Sequence, residues 1–138
     1  MSINKPEYII IHESDSPIDR GDTAKDIHLW HTEKGWDGIG YHYVVLGNGF
    51  TEVGRPEYWV GSHCPGYNQR SLGVCRMAQG EESNEEQYEG LLNLVKGSMI
   101  KYSIPASKVL GHKETKSGKA QGKTCPGMDM DKFRSDLK

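Results

Sequence analysis

The most constraining feature of this chain is an uninterrupted apolar run, Tyr8-Ile9-Ile10-Ile11, that ends at His12. A short run of this kind, with no polar alternation, is typical of a strand buried on both faces of a sheet. Such a strand needs other elements packed on both of its sides. We therefore expect a central strand whose carboxyl end presents His12 at the mouth of a cleft.

Capping and turn signals predict the elements that follow. Residues 23–26, Thr-Ala-Lys-Asp, match a capping box and predict a helix over 24–34. The run Gly47-Asn48-Gly49 predicts a tight turn between strands over 41–46 and 50–53, because Asn-Gly tolerates the positive φ that hairpin turns require. This part of the chain therefore predicts one helix followed by one hairpin.

The second half of the chain continues the alternation of strands and helices. The predicted elements are a strand over 72–77, a long helix capped near Ser83, a short buried segment at 109–110 and a terminal helix around 130–137. This order predicts an α/β (α+β) fold, in which helices flank a central mixed β-sheet and the functional cleft lies at one edge of the sheet.

Length, composition and charge limit the classes of function. A chain of 138 residues fits one domain over 1–138, with residues 1–7 expected to be a flexible N-terminus. No apolar run approaches the roughly 20 residues that span a bilayer, and no signal peptide is recognisable, so we expect a cytoplasmic location without membrane insertion. The net charge of −2 provides no general basic field for nucleic acid.

The chain has three cysteines, an odd number that argues against a disulfide framework. Cys75 fits a small buried strand residue, and Cys64 fits a structural position in a loop. Cys125 differs because Pro126 and Gly127 follow it, forming a turn that can present a thiolate beside His112.

Two imidazoles and one thiolate form the ligand set with which a catalytic zinc keeps a fourth position open for water. His12, His112 and Cys125 can supply this set. Their spacing matches none of the short motifs that identify a metal site by themselves, and a lone histidine is more often structural. The residues alone therefore leave both interpretations open.

The same holds for two side chains suited to amide chemistry. Tyr41 can be a catalytic hydroxyl or a core aromatic, and Lys123 can be a catalytic ammonium or a surface lysine. Among the other histidines, His28 and His31 share one helix face and are expected on a solvated surface, whereas His42 is expected in the core or in support of the site.

Several short motifs follow one another in a recognisable order. They are Ile11-His12, Gly35-Trp36, Gly40-Tyr41-His42-Tyr43, Gly47-Asn48-Gly49, Gly54-Arg55, Gly61-Ser62-His63, Gly66-Tyr67-Asn68, Ser71-Leu72-Gly73-Val74, Gly111-His112 and Lys123-Thr124-Cys125-Pro126-Gly127. In this order they resemble the type 2 N-acetylmuramoyl-L-alanine amidases, which include small bacteriophage amidase lysozymes and animal peptidoglycan-recognition proteins. The resemblance runs from residue 8 to the C-terminus.

The resemblance implies roles for seven residues. It implies that one zinc ion per chain is bound by the set His12, His112 and Cys125, that Tyr41 and Lys123 are catalytic, and that His63 and Asn68 contact substrate. The implied reaction is hydrolysis of the lactyl amide between N-acetylmuramic acid and L-alanine in peptidoglycan, by a phage endolysin during host lysis.

Two features depart from the family pattern. The stretch between His112 and Cys125 is long and carries competing basic residues at Lys113, Lys116 and Lys119. Glu13 places a carboxylate next to a predicted ligand, and we expect its side chain to point away from His12 towards the surface.

Two other functions remain open. One is a peptidoglycan-binding module without hydrolysis, as in family members that lack the cysteine ligand, and Cys125 argues against it. The other is additional binding to a phage RNA polymerase, which nothing in the sequence tests. By analogy with the family we expect a holin to give access to the wall. We expect a monomer, because the sequence contains no heptads.

Overall fold

The fold is built on a five-stranded mixed β-sheet, described here in a computed structural model for residues 3–138. The strands are β1 (Tyr8–Glu13), β2 (Tyr43–Val45), β3 (Thr51–Val53), β4 (Ser71–Arg76) and β5 (Val109–Gly111). The α-helices are α1 (Ala24–Glu33), α2 (Glu85–Tyr102), α3 (Lys116–Ala120) and α4 (Met130–Asp136), and short 3₁₀ turns span Ala106–Lys108 and His112–Glu114. The spatial order of the strands is β3-β2-β4-β1-β5.

Strand β1 lies inside the sheet, as its apolar sequence predicts. It pairs in parallel with β4 on one side and with β5 on the other. The side chains of Ile9, Ile10 and Ile11 are all 0% exposed, so both faces of the strand are covered. Strand β2 continues the parallel pairing next to β4, and only β3 is antiparallel.

Two hydrophobic clusters cover the two faces of the sheet. On one face, Leu91 and Val95 of α2 and Phe133 of α4 join the cluster that contains Ile9 and Ile11. On the other face, Ile27 of α1 packs in a cluster with strand residues Val44 and Cys75. Adjacent strand residues therefore serve opposite faces, because successive side chains of a strand alternate. The architecture has three layers, with the mixed sheet flanked by helices.

The helix boundaries follow from capping chemistry. At the start of α1 the Thr23 N–H donates to Asp26 Oδ2 at 2.8 Å, as the predicted capping box requires. At the start of α2 the side chain of Asn84 accepts from the Gln87 N–H at 2.8 Å. Helix α2 ends at Tyr102, and its C-cap residue Ser103 adopts a left-handed conformation with φ 55°.

The predicted hairpin forms with shorter strands than the sequence indicates. Only three residue pairs join β2 and β3, and Tyr41 precedes β2 instead of lying within it. Helix α3 was not predicted, because its sequence Lys-Ser-Gly-Lys-Ala has no apolar stripe. It forms because the Thr115 side chain caps it, accepting from the Gly118 N–H at 2.9 Å.

Residues 3–7, part of the N-terminus expected to be flexible over 1–7, make specific contacts with the rest of the chain. Ile3 forms a bridge with Trp59, and Asn4 is 4% exposed, donating from its side chain to the carbonyl oxygens of Glu57 and Ser71 at 2.9 Å. The segment is held by these contacts, and residues 1 and 2 lie outside the described part of the chain. Within residues 3–138, none of the helices combines the length and apolar character needed to cross a bilayer.

Two substitutions on α2 test which face of this helix stabilises the fold. Leu91 is 0% exposed and Ile100 is 82% exposed. Leu91→Ala should lower the free energy of unfolding by about 2–5 kcal/mol, because it removes buried methylene groups and leaves a cavity. Ile100→Ala should change it by less than about 0.5 kcal/mol. Urea unfolding measures both values, and equal values for the two variants would contradict this packing.

Candidate metal centre and active site

The structure brings His12, His112 and Cys125 together at the carboxyl edge of the sheet. One donor atom from each residue lies within 4.8 Å of the other two. The Cys125 sulfur is 3.4 Å from His112 Nδ1 and 4.0 Å from His12 Nδ1. The two imidazole rings have centroids 4.6 Å apart.

Strand pairing explains why two histidines so distant in sequence become neighbours. The parallel register of β1 and β5 pairs Ile11 with Gly111, and a histidine follows each of these residues. Because the strands run in the same direction, the next residues leave the sheet side by side. The third candidate joins them through the backbone, since the Lys113 N–H donates to the Cys125 carbonyl oxygen at 2.8 Å.

The turn that carries His112 is anchored to α4 and α3. Arg134 donates to both oxygens of Glu114 at 2.7 and 2.8 Å, and Glu114 Oε1 also accepts from the Gly111 N–H at 2.8 Å. Gly118 of α3 lies so close to the His112 carbonyl that a Cβ at this position would clash with it. These contacts hold the loop that follows β5 in one conformation.

The donor set fits a tetrahedral zinc. Zinc lies about 2.0–2.1 Å from nitrogen and about 2.3 Å from sulfur, so the ligand atoms of one ion lie roughly 4 Å or less from one another. The distances of 3.4 and 4.0 Å from the Cys125 sulfur to the two Nδ1 atoms fall within this range. Burial lowers the pKa of His12 well below its usual range, as do His63, His112 and Lys123, and burial and Lys123 also lower the pKa of His112. Both imidazoles are therefore neutral at neutral pH, the form that binds a metal. His112 Nε2 is buried and has no hydrogen-bond partner among residues 3–138.

The three candidate ligands line a cleft of about 440 Å³ that also contains Tyr41 and Lys123. The Tyr41 ring lies 5.0 Å from the His12 ring between centroids. Burial raises the pKa of Tyr41 well above its usual value, with smaller contributions from Cys75 and Cys125, so the phenol keeps its proton. The Tyr41 ring therefore lies beside the candidate metal centre, and its hydroxyl is protonated.

Lys123 is distinguished from the other lysines of its loop by its position. It is exposed and lines the cleft, and within residues 3–138 its ammonium group makes no hydrogen bond or ion pair. Lys113 instead donates to the Met128 carbonyl oxygen at 2.9 Å, and neither Lys116 nor Lys119 lines the cleft. Of the four lysines in this loop, Lys123 is thus the one that lines the cleft, and its catalytic role stays a prediction.

His63 and Asn68, the predicted substrate contacts, have partners within the protein. His63 Nδ1 is 2.9 Å from His12 Nε2, and His63 is 9% exposed. Asn68 Oδ1 accepts from the N–H groups of His63 and Cys64 at 2.8 and 2.9 Å. Burial lowers the pKa of His63 to about 3, with further lowering by His42, His112 and Arg55. Contact of either side chain with substrate stays a prediction.

Of the remaining histidines, His31 departs from the sequence prediction, whereas His28 and His42 agree with it. His31 is 8% exposed and accepts from the Gly40 N–H at 2.9 Å, so its placement on a solvated surface was wrong. Its neighbour His28 is exposed, as predicted. His42 is 0% exposed, as expected for a core position, and it accepts from the Gly73 N–H at 3.0 Å.

Sequence reasoning missed the partner of Glu13. This side chain is not a free surface group, because its Oε2 accepts from Arg76 Nη2 at 3.3 Å and from the Gly80 N–H at 2.7 Å. Arg76 itself is 0% exposed and also donates to Ser83 at 3.1 Å. An arginine ending an otherwise apolar strand was the available signal, since a buried guanidinium requires a carboxylate partner.

A separate cavity of about 840 Å³ is lined by residues that include His28, Ile39, Arg55 and Trp59. It is larger than the cleft but contains none of the candidate metal ligands. The candidate metal ligands therefore lie in the smaller cleft.

Comparisons with known proteins agree with this geometry. Residues 2–128 match the family model described as N-acetylmuramoyl-L-alanine amidase. The endolysin of Enterobacteria phage T3 is 30% identical over 134 residues, which cover 92% of this chain and 84% of that protein. Peptidoglycan-recognition protein LB of Drosophila melanogaster is 31% identical over 130 residues, which cover 87% of this chain and 54% of that protein.

A solved structure extends the similarity to the fold. N-acetylmuramoyl-L-alanine amidase LysC from Clostridium intestinale URNW superposes with a TM-score of 0.84 at 29% identity, over 99% of this chain and 90% of that chain. Because the sequence match covers nearly all of the residues that build the sheet and the cleft, this chain belongs to the N-acetylmuramoyl-L-alanine amidase family.

Proposed function

We propose that this chain is a zinc-dependent N-acetylmuramoyl-L-alanine amidase that hydrolyses the lactyl amide bond between N-acetylmuramic acid and L-alanine in peptidoglycan. The observation that carries the proposal is the convergence of His12, His112 and Cys125 in a cleft that also holds Tyr41 and Lys123. One zinc ion per chain would be held by the two imidazoles and the thiolate.

A zinc ion bound by this set would polarise the amide carbonyl and lower the pKa of a water molecule. Two neutral imidazoles and one thiolate leave a net positive charge at the centre. The protein adds two groups of its own. The Lys123 ammonium, which has no partner of its own among residues 3–138, can stabilise negative charge that develops on the carbonyl oxygen. The protonated Tyr41 hydroxyl can donate a hydrogen bond to the reacting group.

The biological role that we propose is that of a phage endolysin. Endolysins of Enterobacteria phage T3 and Escherichia phage T7 are among the relatives. In this role residues 1–138 act as a single catalytic domain, made in the cytoplasm of the host and released to the cell wall. A holin partner, binding to a phage RNA polymerase and a monomeric state stay predictions from the family resemblance.

A non-hydrolytic peptidoglycan-binding module is the second candidate function, because peptidoglycan-recognition proteins are also among the relatives. Cys125 distinguishes the two candidates. A module that only binds needs no thiolate beside two imidazoles, whereas a hydrolase needs the complete ligand set.

Replacement of the thiol tests the metal requirement. Cys125→Ser should lower bound zinc well below one ion per chain and abolish release of stem peptides, since a hydroxyl is a poor zinc ligand. Cys64→Ser is the matched control, because Cys64 is equally a free thiol but does not line the cleft, and serine keeps a hydroxyl near Thr115. Elemental analysis measures the zinc, and mass spectrometry of products from purified peptidoglycan identifies the bond.

Three results would count against the proposal. Full hydrolysis by Cys125→Ser would remove the zinc requirement. Wild-type protein that binds the wall without releasing peptides would favour the recognition module. New sugar reducing ends, in place of peptides with a free L-alanine amino terminus, would mean that another bond is cut.

The catalytic role of Lys123 is tested against a lysine from the same loop. Lys123→Ala should lower kcat by about 10²–10³-fold, the usual effect of removing one preorganised donor, while zinc content stays unchanged. Lys119→Ala should retain wild-type kcat, because Lys119 is exposed and lies outside the cleft. Steady-state kinetics on a soluble muramyl peptide measures both, and equal kcat values for the two variants would exclude this role.

Tyr41→Phe removes only the hydroxyl and keeps the ring that packs beside His12. We expect kcat to fall by about 10²-fold or more with little change in zinc affinity, because the phenol acts as a hydrogen-bond donor and not as a ligand. The same kinetic assay, together with zinc content, measures the effect. An unchanged kcat would assign Tyr41 to packing alone.

A further inference from the structure

We infer that His63 is a positioning residue of the metal centre, which fixes the orientation and tautomer of His12 through a buried chain of hydrogen bonds. This inference rests on the metal site proposed above. It gives His63 a role different from the substrate contact that the family resemblance implies.

The chain of hydrogen bonds runs away from the candidate metal centre into the protein. His12 Nδ1 faces the Cys125 thiol, and His12 Nε2 lies 2.9 Å from His63 Nδ1. His63 Nε2 lies 3.2 Å from Ser71 Oγ, and the Ser71 hydroxyl donates to the Tyr67 carbonyl oxygen at 2.7 Å. The exposed fractions of His12, His63 and Ser71 are 2%, 9% and 0%.

The final acceptor determines the direction of every bond in this chain. A carbonyl oxygen cannot donate, so the Ser71 hydroxyl gives its proton to Tyr67 and must accept from His63 Nε2–H. His63 Nδ1 is then a free acceptor, which receives the proton of His12 Nε2–H. His12 is thereby left with an unprotonated Nδ1, the nitrogen that faces the thiol.

The opposite arrangement loses a hydrogen bond. If His12 carried its proton on Nδ1, His63 would have to donate from Nδ1, and its Nε2 would have to accept from Ser71. The Ser71 hydroxyl would then be unavailable to the Tyr67 carbonyl oxygen. The Tyr67 carbonyl oxygen would keep only the Arg70 N–H, so the network from His12 to Tyr67 would contain one hydrogen bond fewer. This difference favours the tautomer of His12 that can bind a metal.

Close packing also keeps the His63 ring in place. A Cβ added at Gly61 or at Gly73 would lie 2.6 or 2.7 Å from the ring, so only glycine leaves room for it. The ring is perpendicular to that of His12, at 88° with centroids 5.0 Å apart. Asn68 fixes the backbone below it by accepting from the His63 N–H at 2.8 Å.

The other imidazole of the centre has no such support. His112 Nε2 is buried without a hydrogen-bond partner among residues 3–138. Of the two imidazoles, only that of His12 is therefore oriented by a hydrogen bond from its Nε2 among residues 3–138, and His63 is the partner. Loss of a hydrogen bond to a metal-binding histidine typically lowers metal affinity by about 10–100-fold.

A pair of substitutions separates positioning from substrate contact. His63→Asn can place an amide oxygen near the position of Nδ1 and keep the acceptor for His12, whereas His63→Leu has no acceptor. We expect zinc affinity, measured by competition with a chelator, to fall about 10–100-fold in His63→Leu and much less in His63→Asn. The absorption spectrum of the cobalt-substituted protein should change in the same order.

Ser71→Ala provides a test that leaves the ring itself in place. It removes the acceptor of His63 Nε2–H, so zinc affinity should fall by several-fold, and it also decides the question if His63→Leu does not fold. If His63 only contacts substrate, all folded variants will keep wild-type zinc affinity and cobalt spectra, and His63→Leu will only raise KM. That result overturns the inference.

The wild-type measurement separates this inference from the proposed function. Wild-type protein that binds no zinc would overturn both. Wild-type protein that binds zinc, with folded His63→Leu and Ser71→Ala variants of equal affinity, would overturn the role of His63 and leave the amidase proposal intact.

Discussion

The parallel pairing of β1 with β5 is the constraint on which the rest of this structure depends. The register that sets Ile11 beside Gly111 also sets His12 beside His112, because each histidine follows its strand directly. An added Cβ at Gly111 would lie 2.9 Å from Pro126 and 3.0 Å from Met130, so the absence of a side chain there lets the Cys125 loop approach. One short ladder of backbone hydrogen bonds thus determines where the two histidines lie, and the glycine at its end leaves room for Cys125.

Beneath the candidate centre the protein contains a layer of buried polar groups instead of hydrocarbon. His42, His63 and Ser71 are each at most 9% exposed, and each has hydrogen-bond partners within the protein. Burial of such groups is unfavourable unless they are paired, so the pairs specify one arrangement of the site. Gly73, unusual inside a buried strand, has its explanation here, because His63 occupies the space of a side chain at that position.

The base of the cleft is hydrogen-bonded, whereas its mouth carries a charged side chain that is unpaired among residues 3–138. His12 and His63 lie in closed contacts, whereas Lys123 is exposed and its ammonium has no partner among residues 3–138. A cationic side chain can stabilise negative charge that develops on a substrate only if no other group of the protein already neutralises the cation. In the same loop Lys113 donates to the Met128 carbonyl oxygen, and of the four lysines there only Lys123 lines the cleft.

The amino-acid sequence by itself determined the buried strand, the capped starts of α1 and α2, the hairpin turn and the candidate ligands, because these depend on local patterning and on residue chemistry. The run Tyr8–His12 required a strand covered on both faces, and the Cys125-Pro126-Gly127 turn distinguished one thiol from the other two. The tertiary structure decided which polar groups meet. The burial of His31, the Arg76–Glu13 pair and the chain from His12 through His63 to Ser71 all join side chains of different elements. No local period encodes such contacts, since they arise only when the register of the parallel strands brings distant residues together.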